Sequence, residues 1–239
     1  MRRTPRRGSV HRIWLAAVAA AVLAAVLAAP AAAAPAPTTW QLSPASKTLT
    51  YGQAVTLNGI LMSGDAAVGG LWVDFAQATT QAGPYEVVYK VTTPSAAYAT
   101  GTYSVVVMPL QTMYYRFSWP GDANYAASNS NAIPVQVKPS LGRPSCPSRA
   151  KKGKRFTVKG TVKPGQGTAP AVKIRAYKRN SSGAYVSYRT YSAKVSGTRY
   201  SVSIKLGRTG KYQFKATTGA TAEFAAATSR FSRVLTVKK

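Results

Sequence analysis

The chain repeats itself at a domain-sized period, and this constrains its fold more than any other feature. Tyr51-Gly-Gln-Ala-Val-Thr-Leu-Asn-Gly59 aligns without a gap on Lys152-Gly-Lys-Arg-Phe-Thr-Val-Lys-Gly160. Leu71-x-Val73-x-Phe75 falls over Val172-x-Ile174-x-Ala176 at the same spacing. Tyr103-Ser-Val105 then falls over Tyr200-Ser-Val202, and Tyr115-x-Phe117 over Tyr212-x-Phe214, both at one slightly shorter spacing. Duplication at this period means tandem modules, each burying its own core, rather than one large fold.

Within each module the apolar residues alternate with polar ones over short runs broken by Gly, Pro, Asn and Ser. That is the pattern of half-buried strands, in which successive side chains point to opposite faces. In the first module the runs are 39–43, 54–61, 71–76, 85–92, 102–107, 113–119 and 133–137. In the second, Phe156, Val158 and Val162 point inward and Lys159 outward. Tyr200, Val202, Ile204 and Leu206 alternate with Ser201, Ser203 and Lys205. A one-residue slip would bury lysines and expose valines, so register is strongly set. No run has helical periodicity. The predicted class is all-β: two tandem immunoglobulin-like β-sandwiches, since seven short strands in about 100 residues is the count for that fold. Residues 35–138 form the first domain and 139–239 the second, joined by the short tether Val137-Lys138-Pro139-Ser140. Leu141 opens the next first strand, which carries Cys146 between Pro144 and Pro147 and is expected at a sheet edge. Tyr115 and Tyr212, near the start of the sixth strand, are expected to hydrogen-bond back across the preceding corner.

Tyr51-Gly-Gln-x-Val-x-Leu-x-Gly59, Gly101-x-Tyr103 and Tyr115-x-Phe117, followed by Gly121-Asp-Ala-Asn-Tyr125-Ala-Ala-Ser128, resemble the immunoglobulin-like repeats of secreted bacterial surface proteins of the actinobacterial type. The resemblance covers 40–138 well and 141–239 more loosely. In the second module the acidic turn gives way to Gly219-Ala-Thr-Ala-Glu-Phe224. It implies a spacer, stalk or adhesive role and says more about fold than about function.

The N-terminus carries Arg2, Arg3, Arg6, Arg7 and Arg12, then an apolar run from Ile13 to Ala29, then Ala31–Ala34. This reads as a signal peptide over 1–34 cut within 31–36. An uncleaved anchor is the rival reading, though the run is short for a span of about 20 residues. The expected location is therefore secreted or extracellular, with retention on the cell envelope as a variant. No other apolar run could span a membrane. No sortase-type tail follows Lys239, so retention would be non-covalent.

Charge separates the modules where pattern does not. Of the formal +27, residues 40–138 contribute nothing, with Lys47, Lys90, Arg116 and Lys138 set against Asp65, Asp74, Glu86 and Asp122. Residues 139–239 hold 23 Lys and Arg against Glu223 alone, leaving +22. So strong an excess calls for an anionic partner. With the core strands inward, Lys173, Arg175, Lys211 and Lys215 point out, and Lys178 points out or to the strand end. With Val186 and Tyr188 also inward, Tyr185, Arg189 and Tyr191 join them on one outer sheet face. The competing reading is diffuse charge, since Lys159, Lys194, Arg199, Lys205 and Arg208 appear spread over the module.

Catalytic chemistry finds few residues. His11 lies in the signal region, which removes His-dependent nucleophilic systems and most zinc sites from the mature chain. Cys146, the single cysteine, has no histidine to activate it. Asp65 and Asp122 read as turn residues, and Asp74 as facing out. Neither an enzyme nor a cofactor or metal is expected. The expected partners are anionic cell-envelope polymers or acidic polysaccharide, with other surface proteins as further partners and nucleic acid as a lesser one. A carbohydrate module using Trp40, Trp72 or Trp119 is a third reading, and Trp72 is its best candidate.

Overall fold

The computed structural model describes residues 33–93 and 101–239. The signal-peptide reading, apart from its last two positions, lies outside the described residues. The first half contains β1 (Thr39–Ser43), β2 (Lys47–Thr50), β3 (Val55–Ser63), β4 (Ala66–Ala67), β5 (Val73–Ala78), β6 (Glu86–Val91), β7 (Thr102–Val107), β8 (Met113–Trp119), β9 (Ser128–Asn129) and β10 (Ile133–Lys138). The second contains β11 (Ser140–Leu141), β12 (Arg149–Lys151), β13 (Arg155–Lys163), β14 (Val172–Arg179), β15 (Tyr185–Ser192), β16 (Lys194–Ser196), β17 (Arg199–Lys205), β18 (Gly210–Thr218), β19 (Ala227–Thr228) and β20 (Leu235–Lys238). Among the described residues there is no helix.

These strands form four sheets, two in each half. In the first half, β3 is flanked by β1, β4 and β7, and it faces a larger sheet ordered β2-β10-β8-β5-β6 with β9 beside β8. In the second half, β11-β13-β17-β16 faces β12-β20-β18-β14-β15 with β19 beside β18. Two separate cores result. Leu57, Leu61, Phe75, Tyr103, Phe117 and Ile133 are fully buried in one. Ile174, Tyr200, Ile204, Tyr212 and Phe214 are fully buried in the other. Each such side chain contributes about 1.5–3 kcal/mol on burial, which is how alternation in the sequence becomes two sandwich-like units.

The duplication holds at the level of register. Gly59 faces Tyr103 across β3 and β7, and Gly160 faces Tyr200 across β13 and β17. Phe75 faces Phe117, and Ala176 faces Phe214. Tyr212 donates its hydroxyl to the Arg208 carbonyl at 2.9 Å, the corner contact expected of it. Tyr115 instead stacks on Phe75, with ring centroids 5.4 Å apart. The turn residues differ in chemistry and agree in role. Asp122 Oδ1 accepts from the backbone N–H groups of Asn124 and Tyr125, and Thr221 Oγ1 accepts from that of Phe224.

The entry to each sandwich departs from a single first strand. In both, the chain crosses from one sheet to the other, so that β2 and β12 lie parallel to β10 and β20. Pro44 follows β1, and Pro144 follows the short β11. A proline cannot donate to a ladder, so β1 ends before Pro44. In the second half Pro144 interrupts the ladder, Ser145 still bridges Lys159 of β13, and the chain then crosses to β12 on the opposite sheet. Cys146 lies in this crossover, half-buried against the second core. Burial raises its thiol pKa, against the lowering influence of Ser232 and Arg143. The tether is shorter than expected: β10 runs to Lys138 and β11 starts at Ser140, leaving Pro139 alone between them. The Thr112 N–H donates to the Glu223 carbonyl at 2.7 Å, and the Ala225 N–H to the Val137 carbonyl at 2.8 Å, tying the two halves by backbone.

Candidate polyanion-binding face

The outer face of the larger sheet in the second half is built by strict alternation. On β14, Val172, Ile174 and Ala176 are buried, which turns Lys173, Arg175, Tyr177 and Arg179 outward. On β18, buried Tyr212, Phe214 and Ala216 turn Lys211, Gln213 and Lys215 outward. Arg149 lies beside Thr236 and Thr236 beside Lys211, a row across β12, β20 and β18. Arg175 lies beside Lys215. At one end of this face a shallow groove of about 680 Å³ is lined by Arg149, Arg179, Lys211 and Lys238, with Tyr185 at its side. In its middle, Phe231 packs edge-on to Tyr177 at 5.1 Å and lies 6.5 Å from Tyr185, with the Lys215 ammonium 4.1 Å above its ring.

Five residues expected on this face share it: Lys173, Arg175, Lys211, Lys215 and Tyr185. Arg189 and Tyr191 do not. Arg189 lies opposite buried Ala176 and Tyr191 opposite buried Ile174, so both sit on the core side of the sheet. A β-bulge is the cause. The register slips between Ala176 and Tyr177, leaving Tyr188 as an extra residue on β15, and one extra residue exchanges the faces of everything beyond it. Arg189 stays exposed because β15 is the last strand of the path, and its guanidinium lies 5.5 Å over the Tyr191 ring. Burial raises the Tyr191 pKa, with Arg189 opposing. Lys178 likewise lies opposite buried Tyr212, on the core side.

Arg149, Arg179, Lys238, Tyr177 and Phe231 were not anticipated from the sequence. Alternation along β14 could have found Tyr177 and Arg179. The others depend on the parallel pairing of β12 and on the path of the chain before β20, for which no local signal exists.

Lys159, Lys194, Arg199 and Lys205 are not scattered. Lys159 and Lys194 both lie beside Ser201, Arg199 beside Thr161, and Lys205 opposite Arg155. They form a second cationic face on the opposite sheet, interleaved with Thr and Ser instead of aromatic rings.

The first half supplies an internal comparison. Its matching groove, about 600 Å³, is lined by Ser46, Lys47, Thr48, Pro134 and Gln136. By register, Thr48 stands where Arg149 does, Ala78 where Arg179 does, Tyr114 where Lys211 does, Asp74 where Arg175 does and Ser118 where Lys215 does. Arg116 is turned onto Tyr85, 4.0 Å from the ring centroid. Of the tryptophans considered, Trp40 stacks on Phe117 at 5.6 Å and donates to Ser128 Oγ, and Trp119 is buried. Trp72 is exposed. Among the described residues no three His, Cys, Asp or Glu side chains converge as a ligand set. No family profile matches the chain, and no curated protein is significantly similar to it.

Proposed function

We propose that this is an exported, non-enzymatic tandem of immunoglobulin-like sandwiches whose second member holds anionic polymers of the cell envelope, or acidic polysaccharide, on the outer face of its larger sheet. The immunoglobulin-like reading is supported by the sheet orders, by the first strand shared between both sheets and by the Tyr212 corner contact. The observation that carries the binding reading is the groove where Arg149, Arg179, Lys211 and Lys238 converge. Concave clusters of one sign focus the field and concentrate counter-ions. Arginines add planar forks that match phosphate and carboxylate oxygens. Of these four positions the first sandwich keeps a cation only at Lys138, which faces Thr50 as Lys238 faces Lys151. Its groove adds Lys47, so shared fold does not account for the cluster.

The test compares the two cationic faces in the full chain at equal net charge. Arg149, Arg179, Lys211 and Lys238 are reversed to glutamate in one variant, and Arg155, Lys159, Arg199 and Lys205 in another. Retention on a heparin column at about 0.15 M salt, where screening acts beyond about 8 Å, should be lost in the first and largely kept in the second. Equal losses would leave only diffuse charge, and loss confined to the second would move the site to the other face. Single-stranded nucleic acid is a second reading, favoured by Phe231, Tyr177 and Tyr185 lying among the cations. It predicts tighter binding of oligothymidylate than of an abasic strand of equal length.

A further inference from the structure

We infer that the corresponding face of the first sandwich, around Trp72, is a platform for a neutral polysaccharide. Leu71 and Val73 pack against the core, so Trp72 between them is turned out, with 62% of its surface exposed. Beside it a polar row crosses four strands: Lys90 on β6 lies opposite Asp74 on β5, Asp74 opposite Ser118 on β8, and Ser118 opposite Asn129 on β9. The Lys90 ammonium is 3.9 Å from Asp74 Oδ1, and the Ser118 hydroxyl donates to Asn129 Oδ1 at 2.6 Å. The row therefore carries no net charge. It still offers a carboxylate and a hydroxyl oxygen as acceptors, and an ammonium and the Asn129 amide N–H groups as donors.

This combination selects among ligand classes. An anionic polymer gains nothing from a row whose charges cancel, and the cations that would serve one, Lys173, Arg175 and Lys215, occupy the matching positions of the other sandwich. An apolar protein partner needs a contiguous patch, whereas the outward residues beside Trp72 are polar. A peptide adding as a strand would take the open edge, which on this side of the sheet is β6, whereas Asp74 and Ser118 stand on β5 and β8, each paired on both sides. A sugar ring has the complementary form. Its C–H face carries partial positive charge that suits the negative face of the indole, and its rim of hydroxyls both donates and accepts.

The inference is independent of the polyanion reading. Full-length protein is mixed with insoluble cellulose, chitin and debranched xylan in about 1 M salt, where the Debye length falls to about 3 Å and polyanion-type contacts are screened. Depletion from solution onto at least one glycan is expected. Trp72→Ala should weaken it about tenfold or more, and Trp72→Phe, which keeps a ring, by much less. Asp74→Asn should weaken it without altering the far-ultraviolet circular dichroism. The groove-reversed variant should bind as the parent does. Absence of depletion on all three glycans, or equal depletion by the parent and Trp72→Ala, would overturn the inference. Neither result would touch the heparin experiment.

Discussion

At Gly160 the phenol of Tyr200 occupies the space a side chain would need. A Cβ there would collide with the Tyr200 hydroxyl oxygen, and one at Gly59 would come within 2.8 Å of the Phe117 ring. The shared Gly of the two repeats is thus a seat for an aromatic ring. Gly160→Ala should cost about 1–3 kcal/mol through overpacking, read as a lower urea midpoint at unchanged slope. The Tyr200 phenol in turn donates to the Gly142 carbonyl at 2.9 Å, and that of Tyr212 to Arg208. Burial pushes the phenols of Tyr115 and Tyr212 up to about 12, with neighbouring Tyr89 and Tyr188 adding to the effect, and burial raises Tyr200 further still. As pH rises from about 10 towards 12, the unfolded chain gives up phenol protons that the folded chain keeps. Stability must then fall with rising pH across that window. Alkaline titration should show a late, cooperative rise in phenolate absorbance coincident with loss of β-sheet dichroism, and Tyr212→Phe should reduce its amplitude.

Strands with strong alternation were legible, and their faces with them, until a bulge intervened. The first and last residues of β1, β7 and β8 coincide with the sequence reading. β2 and β12 escaped it, because each is short and pairs in parallel with a strand some 90 residues away. The bulges escaped it too. Val88 and Tyr188 are the extra residues at matching places in β6 and β15, so the irregularity was duplicated along with the strands. Alternation counts residues and cannot register one that leaves the ladder, which is why Arg189 and Tyr191 were assigned to the wrong face. Five of the seven expected site residues lay on regular stretches or beyond the bulge on the side where parity is restored. Phe231, which joins Tyr177 and Tyr185 in the aromatic cluster, comes from the segment between β19 and β20, which has no strand pattern.

Across the whole molecule, one sheet face was duplicated and then given two chemistries, a neutral polar row around Trp72 and a cationic groove around Arg149. The second sandwich carries this with Glu223 as its single acidic side chain. Arg155 lies directly opposite Lys205 and Lys151 opposite Lys238, pairings that are destabilising across strands. Its thermal transition should therefore rise by a few degrees for each kcal/mol of repulsion screened when salt replaces an equal osmolarity of uncharged solute. The transition of the first sandwich should stay put. Scanning calorimetry of the full chain would show both.

The seam between the halves has a mechanical meaning. Val137 accepts a bond from Ala225 in the turn after β18, and Ala36, the matching residue ahead of the first sandwich, bonds to Asn124 and Ala126 in the turn after β8. The segment that delivers the chain to a module is thus also the clamp laid across that module's far turn. Tension along the chain would meet a clamp before it met a fold. A string of such modules would gain reach in fixed steps, one module at a time, instead of through slack between them.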